Sequence, residues 1–284
     1  MKTIQSLCDI ADQAQTFFLD LWGVVFDGEA FYPKGLVVLK KLKEQGKTIG
    51  LLSNSTLMNE VLEKRYAALG LIKGVYYDRI ITSGSLLQTW MNTTDYLDKI
   101  AGKEGKIFVL GIDNPELFEG LQARLTKDIR QASVVYVSSL RHLGRSCSTV
   151  DPFIPMAQKA LDKGLPMICA NPDHFAFEGG TRYVTPGSLG TWYEQHGGRV
   201  FWIGKPYADI YLHACALLKA EPSDSVMVGD TIRTDIKGGQ QVGMKTVLIM
   251  QEGITHDAIV RGKTLQELIQ ESGAQPDYLL DEIG

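Results

Sequence analysis

Four short polar segments of the chain each follow an apolar run, and together their side chains could transfer a phosphoryl group. The segments are Asp20-Leu21-Trp22-Gly23-Val24, Ser53-Asn54-Ser55, Lys205-Pro206 and Gly229-Asp230-Thr231-Ile232-Arg233-Thr234-Asp235. They supply a carboxylate that can act as a nucleophile, a hydroxyl donor, an ammonium group and further carboxylates that can bind a metal ion. Phosphoryl transfer depends mostly on positioning and on neutralising charge, so these groups suffice for it once the fold brings them together.

The pattern of apolar runs predicts a fold that would bring these segments together. Short apolar runs alternate with helical patterns, which is typical of βαβ units and of a mostly parallel sheet. Strands are predicted at residues 17–19, 48–52, 79–82, 106–110, 134–137, 166–170, 200–203, 225–228 and 246–249, and helices at 35–45 and 56–69. The carboxyl ends of neighbouring parallel strands share one edge, where ligands bind. We therefore expect the four segments to meet at that edge.

The middle of the chain is predicted to form a separate, inserted domain. The three strands predicted between residues 106 and 170 are followed by none of the four segments, whereas two segments precede this block and two follow it. We therefore expect a core formed by residues 1–83 and 181–284, interrupted by a second domain at 84–180. The strands of the core are expected to resume at 200–203.

Composition and charge narrow the class of protein. The chain has 284 residues and a net charge of −4, which argues against a nucleic-acid or membrane surface. Its longest apolar runs are far too short to span a bilayer. Residues 1–15 lack the features of a secretion signal and are predicted to form an amphipathic helix. The four cysteines are widely spaced, so we expect reduced thiols in a cytoplasmic protein. A homo-oligomer is left open.

The order and residue types of the four segments closely resemble the four motifs of the haloacid dehalogenase superfamily of phosphohydrolases. Within it, the closer resemblance is to class IIA, the branch of NagD-like nucleotide phosphatases and p-nitrophenylphosphatase-like proteins. The segments that carry this closer resemblance are Thr82-Ser83-Gly84-Ser85 and Ala170-Asn171-Pro172-Asp173. The resemblance implies an α/β fold with a Rossmann-like core, a mostly parallel sheet and an inserted α/β cap of the C2 type.

The resemblance also implies a role for each motif residue. Asp20 would attack phosphorus and become a transient aspartyl phosphate. Lys205 would neutralise charge on the Asp20 carboxylate and on the phosphoryl group. Mg²⁺, a hard ion that prefers oxygen ligands, would reduce the repulsion between Asp20 and the phosphate. The implied contacts are Asp20, Asp230, Asp235 and the Trp22 carbonyl for the metal, and Ser53, Asn54, Asn171, Asp173 and His174 for the substrate. The substrate would be a small phosphorylated metabolite, selected by the cap.

One position departs from the phosphatase pattern, because Trp22 stands where those enzymes place a second aspartate. The segment Asp20-Leu21-Trp22-Gly23-Val24, followed by Asp27-Gly28, resembles a subgroup of class IIA in which tryptophan takes this position. The usual aspartate protonates the leaving alcohol and then helps to activate water, and an indole can do neither.

Three readings of that departure remain open. The chain is a hydrolase whose substrate leaves easily or whose proton comes from Asp27, His174 or water. Alternatively it is a catalytically weak protein that binds phosphorylated metabolites in a Mg²⁺-dependent way. The third reading is a different reaction at the same nucleophile, such as phosphoryl transfer or carbon–phosphorus cleavage. We expect the first.

Overall fold

The structure is a computed structural model that describes residues 1–112, 114–142, 144–178 and 181–283. Within these residues the strands are β1 (Lys2–Ile4), β2 (Thr16–Leu19), β3 (Thr48–Ser53), β4 (Arg79–Thr82), β5 (Lys106–Leu110), β6 (Leu125–Thr126), β7 (Ala132–Val137), β8 (Arg141–His142), β9 (Arg145–Ser146), β10 (Met167–Cys169), β11 (Phe175–Glu178), β12 (Thr181–Val184), β13 (Val200–Trp202), β14 (Ser225–Gly229), β15 (Lys245–Ile249) and β16 (Tyr278–Leu280). Every predicted strand is present.

The helices lie between these strands. They are α1 (Pro33–Glu44), α2 (Asn59–Ala68), α3 (Ser83–Thr93), α4 (Tyr96–Ala101), α5 (Ile154–Asp162), α6 (Pro186–Gln195), α7 (Ala208–Leu218), α8 (Lys237–Gln241), α9 (Gly253–Val260) and α10 (Leu265–Ser272). The predicted helices correspond to α1 and α2. Helix α1 begins at a proline, whose missing N–H costs nothing in the first turn. Across the described ranges, no helix combines the length and apolar character needed to cross a bilayer.

Seven strands form a parallel sheet in the order β1-β16-β15-β14-β2-β3-β4. The neighbours β14, β2 and β3 lie at its centre. Asp230 directly follows β14, Asp20 directly follows β2, and Ser53 ends β3. Because the strands are parallel, these three residues lie at the same edge of the sheet. The α/β fold with a mostly parallel sheet is confirmed.

This sheet is buried on both faces, which explains why its strands are continuous apolar runs. Along β2, Phe17 and Leu19 belong to one buried cluster, and Phe18 belongs to another. The cluster around Phe18 also includes Val134 and Ile168, which lie on β7 and β10 outside this sheet. The seven-stranded sheet and the sheet that contains β7 and β10 therefore share one buried cluster.

A second parallel sheet has the order β13-β10-β7-β5-β6. Its other face packs against helix α6 through a separate buried cluster, in which Val135 and Met167 join Leu189 and Tyr193. The antiparallel hairpin of β11 and β12 extends from this unit. Phe175, Phe177 and Tyr183 of this hairpin line the same cavity as Asp20, so the hairpin faces the edge of the first sheet that carries Asp20.

The expectation that strands of the core resume at 200–203 is wrong. Strand β13 pairs with β10 in the second sheet, where Ile168 lies opposite Phe201. Val200 and Trp202 pack against the cluster that contains α6. An apolar run predicts a buried strand, but it does not indicate which of two sheets the strand joins.

The pairing of β13 with β10 leads us to propose different borders for the inserted domain. The predicted border between residues 180 and 181 falls beside Gly179 and Gly180, which lie outside the described residues. The strands that flank this point, β11 and β12, pair with each other. We propose that the inserted cap continues through Trp202 and that the core resumes at Lys205.

The amphipathic helix predicted for residues 1–15 is also wrong in part. This segment forms the edge strand β1 and a short 3₁₀ helix at Leu7–Gln13. The 3₁₀ helix begins with a capping box. The side chain of Ser6 accepts the backbone N–H of Asp9, and the side chain of Asp9 accepts the backbone N–H of Ser6. Leu7 and Ile10 are buried against the first sheet's core. A three-residue edge strand has too short an apolar pattern to be recognised from sequence.

Candidate active site

Lys205 is buried between two carboxylates. Its Nζ lies 2.9 Å from Oδ1 of Asp20 and 2.7 Å from Oδ1 of Asp235, and its side chain is 2% exposed. Burial alone would lower the pKa of Lys205, but the charges of Asp20 and Asp235 raise it well above the ordinary value. The ammonium is therefore charged at neutral pH.

Asp20 is fixed by its backbone and by one oxygen of its carboxylate. Its N–H donates to the carbonyl of Val228 at 2.9 Å, which extends the pairing of β2 with β14 by one residue. Oδ1 accepts the N–H of Leu21 at 2.7 Å as well as the charged hydrogen bond from Lys205. The side chain is 15% exposed and lines a cavity. Asp20 thus presents a carboxylate of fixed orientation to the cavity.

Asp230 is buried beside Asp20. Its Oδ2 accepts the N–H of Ile254 at 2.5 Å, and its Oδ1 accepts the hydroxyl of Thr231 at 3.2 Å. A Cβ at Gly253 would lie 1.8 Å from Oδ2, so only glycine allows the backbone to approach this carboxylate so closely. Burial, with the charges of Asp20 and Asp235, raises the pKa of Asp230 well above its usual range.

The charge balance of this cluster fits a divalent cation. Carboxylate oxygens of Asp20, Asp230 and Asp235 lie within 4.8 Å of one another, and the ammonium of Lys205 compensates only part of their charge. Burial raises the pKa of Asp235 to about 7 although the charge of Lys205 opposes the shift, and the charge of Asp20 adds to it. A set of carboxylate oxygens without histidine or cysteine suits a hard ion such as Mg²⁺.

Asn54 holds the backbone of Lys205. Its Oδ1 accepts the N–H of Lys205 at 2.6 Å, and its Nδ2 donates to the carbonyl of the same residue at 3.1 Å. Nδ2 also donates to Oδ1 of Asp173 at 3.0 Å. The amide predicted to bind substrate is thus engaged with protein groups. Ser53 differs, because its hydroxyl accepts only the N–H of Ser55 among the described contacts, at 3.2 Å, and it lines the cavity.

The cap segment predicted to face the core divides into two parts. Asn171 and Asp173 line the cavity, and burial raises the pKa of Asp173. His174 is not among the described residues that line it. Its Nε2 lies 3.0 Å from the hydroxyl of Thr191, and burial lowers its pKa to about 4. A direct substrate contact by His174 is therefore not supported, because its ring packs inside the cap.

Trp22 lies on the cavity wall two residues after Asp20. Its ring meets that of Phe26 edge to face, with 5.4 Å between centroids. Phe26 in turn packs on Tyr66, with 5.2 Å between ring centroids. Asp27, a few residues further on, also lines the cavity, but its Oδ1 accepts the N–H groups of two turn residues at 2.7 Å each. Its carboxylate therefore stabilises a turn.

The cavity has a volume of about 770 Å³ and is bounded by both sheets' loops. Among its lining residues, several were not predicted from the sequence. They include Tyr32, Asn114, Arg141, Tyr183 and Glu252. The hydroxyl of Tyr32 donates to Glu252 at 3.1 Å. Glu252 follows β15, the neighbour of β14, so the rule that ligands bind at the strands' carboxyl edge could have found it.

Arg233 was also not singled out. It belongs to the fourth segment, and its Nη2 donates to the carbonyl of Pro172 in the cap at 2.8 Å. Together with the bond from Asn54 to Asp173, this contact fixes the cap segment to the core beside Lys205. Its residue type does not indicate this contact, since an arginine in such a segment is equally compatible with the surface.

Two family models match the chain, and both describe haloacid dehalogenase-like hydrolases. The model described as haloacid dehalogenase-like hydrolase covers residues 17–122, which include Asp20 and Ser53. The model described as HAD-hydrolase-like covers residues 202–284, which include Lys205 and Asp230. The two matches therefore divide the four polar segments between them.

Whole-chain comparisons agree with these matches. Mouse chronophin is 28% identical over 263 residues, covering 86% of this chain and 84% of that protein. The ribonucleotide monophosphatase NagD of Escherichia coli K12 is 28% identical over 236 residues, covering 81% and 85%. A haloacid dehalogenase-like hydrolase from Brucella suis superposes with a TM-score of 0.84 at 26% identity, covering 99% and 100%. The chain is therefore similar over its whole length to haloacid dehalogenase-like hydrolases, and NagD is among the relatives it resembles.

Proposed function

We propose that this protein is a phosphatase that hydrolyses a small phosphorylated metabolite through an aspartyl phosphate on Asp20. The observation that carries the proposal is the buried ammonium of Lys205, which is 2.9 Å from the Asp20 carboxylate that opens on the cavity. The name of its relative NagD, a ribonucleotide monophosphatase, supports phosphate monoesters as the substrate class.

In the first step an Asp20 oxygen attacks phosphorus and the bond between phosphorus and the ester oxygen breaks. Because Oδ1 is held by Leu21 and Lys205, Oδ2 is the attacking oxygen. The electron pair of the broken bond stays on the ester oxygen, which takes a proton from water. Lys205 neutralises the carboxylate as it approaches the phosphate, and this charge-assisted contact positions the nucleophile.

In the second step water attacks the phosphorus of the aspartyl phosphate. The bond between phosphorus and the Asp20 oxygen breaks, one proton of the attacking water neutralises the hydroxide left by the first step, and hydrogen phosphate leaves with the other proton. The carboxylate is thereby restored. Ser53 opens on the same cavity, and its hydroxyl would donate a hydrogen bond to a phosphate oxygen.

The carboxylates of Asp20 and Asp230 and the Trp22 carbonyl would hold Mg²⁺, with Asp235 nearby. When bound, the ion supplies positive charge that reduces repulsion between nucleophile and phosphate. The excess negative charge of the cluster supports this assignment, as does the raised pKa of the buried Asp230. Asp235, whose Oδ2 accepts the N–H of Thr231 at 3.1 Å, orients Lys205 from the opposite side.

Water is the proposed source of the proton that the missing acid would supply. Trp22 carries no acidic group, and the carboxylate of Asp27 is engaged by a turn. His174, the other candidate, is bonded to Thr191 inside the cap. Since general acid catalysis contributes roughly 10²–10⁴-fold in rate, substrates with easily departing groups are favoured.

The proposal is tested by phosphate release from a panel of phosphate monoesters with MgCl₂, using native protein, Asp20→Asn and Asp27→Asn. Turnover that is lost in Asp20→Asn and retained in Asp27→Asn supports the nucleophile. Turnover that survives in Asp20→Asn rejects it. Mg²⁺-dependent binding of the esters without turnover identifies a binding protein. Transfer of the phosphoryl group from the ester to an added alcohol identifies a transferase.

A further inference from the structure

At the position where related phosphatases carry an acid, Trp22 adds a large ring surface to the cavity that Asp20 also lines. Trp22 lies two residues after Asp20, and both line the same cavity. An indole cannot transfer a proton to the leaving group. It can offer a flat apolar surface to whatever part of the substrate is attached to the phosphate.

Two contacts restrict the orientation of this indole. Its ring meets Phe26 edge to face. Gly28, at φ +106°, lies against another side of the ring, because a Cβ there would lie 2.8 Å from Cζ3 of Trp22. A ring held in this way loses little further conformational freedom when a ligand packs against it.

The hairpin of the cap brings further aromatic rings to this part of the cavity. Phe175, Phe177 and Tyr183 line the cavity from β11 and β12. The carbonyl of Phe177 lies 3.6 Å from the same Cβ position at Gly28, so the hairpin passes directly over the turn that supports Trp22. Aromatic side chains from core and cap therefore lie on adjoining walls.

We propose that Trp22 is a specificity-determining residue on which a flat, unsaturated ring of the leaving group stacks. The proposal rests on the proposed phosphatase function and adds the shape of the leaving group to it. A stacked aromatic pair contributes beyond simple burial, which corresponds to roughly a twofold to tenfold preference for an aromatic ring over a saturated ring of similar size. The preference is independent of proton donation, since the indole stacks without reacting.

The test compares benzyl phosphate with cyclohexylmethyl phosphate, whose leaving alcohols have similar basicity. The native protein should have the higher kcat/KM for the benzyl ester, by about twofold to tenfold. Trp22→Leu should remove this preference, and Trp22→Phe should retain part of it. Trp192→Leu is the matched control, because Trp192 stacks on His196 and is not among the described residues that line the cavity. Equal kcat/KM values in the native protein, or an undiminished preference in Trp22→Leu, would overturn the proposal.

A binding measurement separates this proposal from the proposed function. Phenylphosphonate and cyclohexylphosphonate are not hydrolysed, and calorimetry with MgCl₂ measures their affinities for each variant. Tighter binding of phenylphosphonate to the native protein and Trp192→Leu, but not to Trp22→Leu, supports the stacking surface even if no ester is turned over. In that case the phosphatase proposal fails and the stacking proposal stands. Equal affinities of the two phosphonates would reject the stacking surface whether or not esters are hydrolysed.

Discussion

The side chain of Asn54 binds both polar backbone groups of Lys205. Oδ1 accepts the N–H at 2.6 Å and Nδ2 donates to the carbonyl at 3.1 Å, while Nδ2 also reaches Asp173. The position of the ammonium between Asp20 and Asp235 therefore depends on a neutral amide that touches neither carboxylate of that pair. Asn54 is a positioning residue for Lys205.

Replacing Asn54 by alanine should lower kcat more than it changes KM. The ammonium of Lys205 would no longer be held in register with Asp20, and a loss of kcat of about tenfold to a hundredfold is expected for such misplacement. Two buried backbone groups would also lose their partners, at about 1–3 kcal/mol of unfolding free energy each. Steady-state kinetics and urea unfolding measure the two effects.

Asn59→Ala is the matched control for that variant. Asn59 accepts the N–H of Thr82 at 3.0 Å, so its replacement removes a hydrogen bond without touching Lys205. Asn59→Ala should lower stability and keep kcat near the native value. If both variants lose kcat in proportion to stability, Asn54 has a purely structural role.

Lys205→Met should destabilise the fold and abolish turnover. It leaves Asp20 and Asp235 without their ammonium in a buried site, and breaking a buried pair typically costs about 3–5 kcal/mol. Adding Asp235→Asn should restore part of the unfolding free energy, because it removes one uncompensated charge, but it should not restore phosphate release. Urea titrations at pH 7 compare the single and double variants. Full additivity of the two losses would show that the residues do not interact.

Asp230→Asn should weaken Mg²⁺ binding far more than Asp27→Asn. Asp230 is buried in the carboxylate cluster, whereas the carboxylate of Asp27 is engaged by turn amides. Removing one anionic ligand of a hard cation should lower affinity by at least about tenfold. Titration calorimetry of both variants with MgCl₂ measures the difference. Equal affinities would remove Asp230 from the metal site.

His174 should make the protein less stable as the pH falls from 6.5 to about 4. Burial lowers its folded pKa to about 4, while an unfolded histidine titrates near 6.5. Between these values the unfolded chain binds the proton and the native state does not, so unfolding becomes easier as pH falls. The neutral His174 contributes fully to the unfolding free energy above pH 6.5. On the order of 1–3 kcal/mol of that free energy is lost as the pH falls from 6.5 to about 4.

His174→Gln should flatten that part of the pH profile. Unfolding free energies from urea titrations at pH 4.5, 5.5, 6.5 and 8 measure the slope for native protein and variant. Burial also lowers the pKa of His213, so a residual slope remains in the variant. Identical slopes for native protein and His174→Gln would contradict a buried, neutral His174.

Sequence reasoning identified the groups that end strands of the central sheet. Asp20, Ser53 and Asp230 each follow or end an apolar run, and parallel strands bring such positions to one edge. The sheet assignment of β13, by contrast, depends on which buried surface its apolar side chains cover, here the one formed with α6. Packing between distant segments decides which sheet β13 joins, and the apolar run at residues 200–203 alone does not indicate it.

The contacts of individual side chains were less predictable than their neighbourhood. Asn54 follows Ser53 directly, yet its amide turns toward Lys205 and not toward the cavity's ligands. His174 follows Asp173, yet its ring is bonded to Thr191. Adjacent residues of a loop point in different directions, so a motif locates a site more reliably than it assigns each residue a contact.

Turnover should depend unusually steeply on the acidity of the leaving group, because Trp22 cannot protonate it. A series of ring-substituted phenyl phosphates keeps the stacking ring constant while the acidity of the phenol varies. The logarithm of the chemical-step rate should fall steeply as the phenol becomes less acidic.

Trp22→Asp should flatten this dependence, since acid assistance matters most for poor leaving groups. Trp22→Asn is the control, because it makes the same change in size without an acid and should keep the steep slope. Equal slopes in Trp22→Asp and Trp22→Asn, with native-like folding and Mg²⁺ affinity in both, would mean that position 22 does not reach the leaving oxygen. A shallow slope in the native protein that becomes steep in Asp27→Asn would instead assign the proton to Asp27.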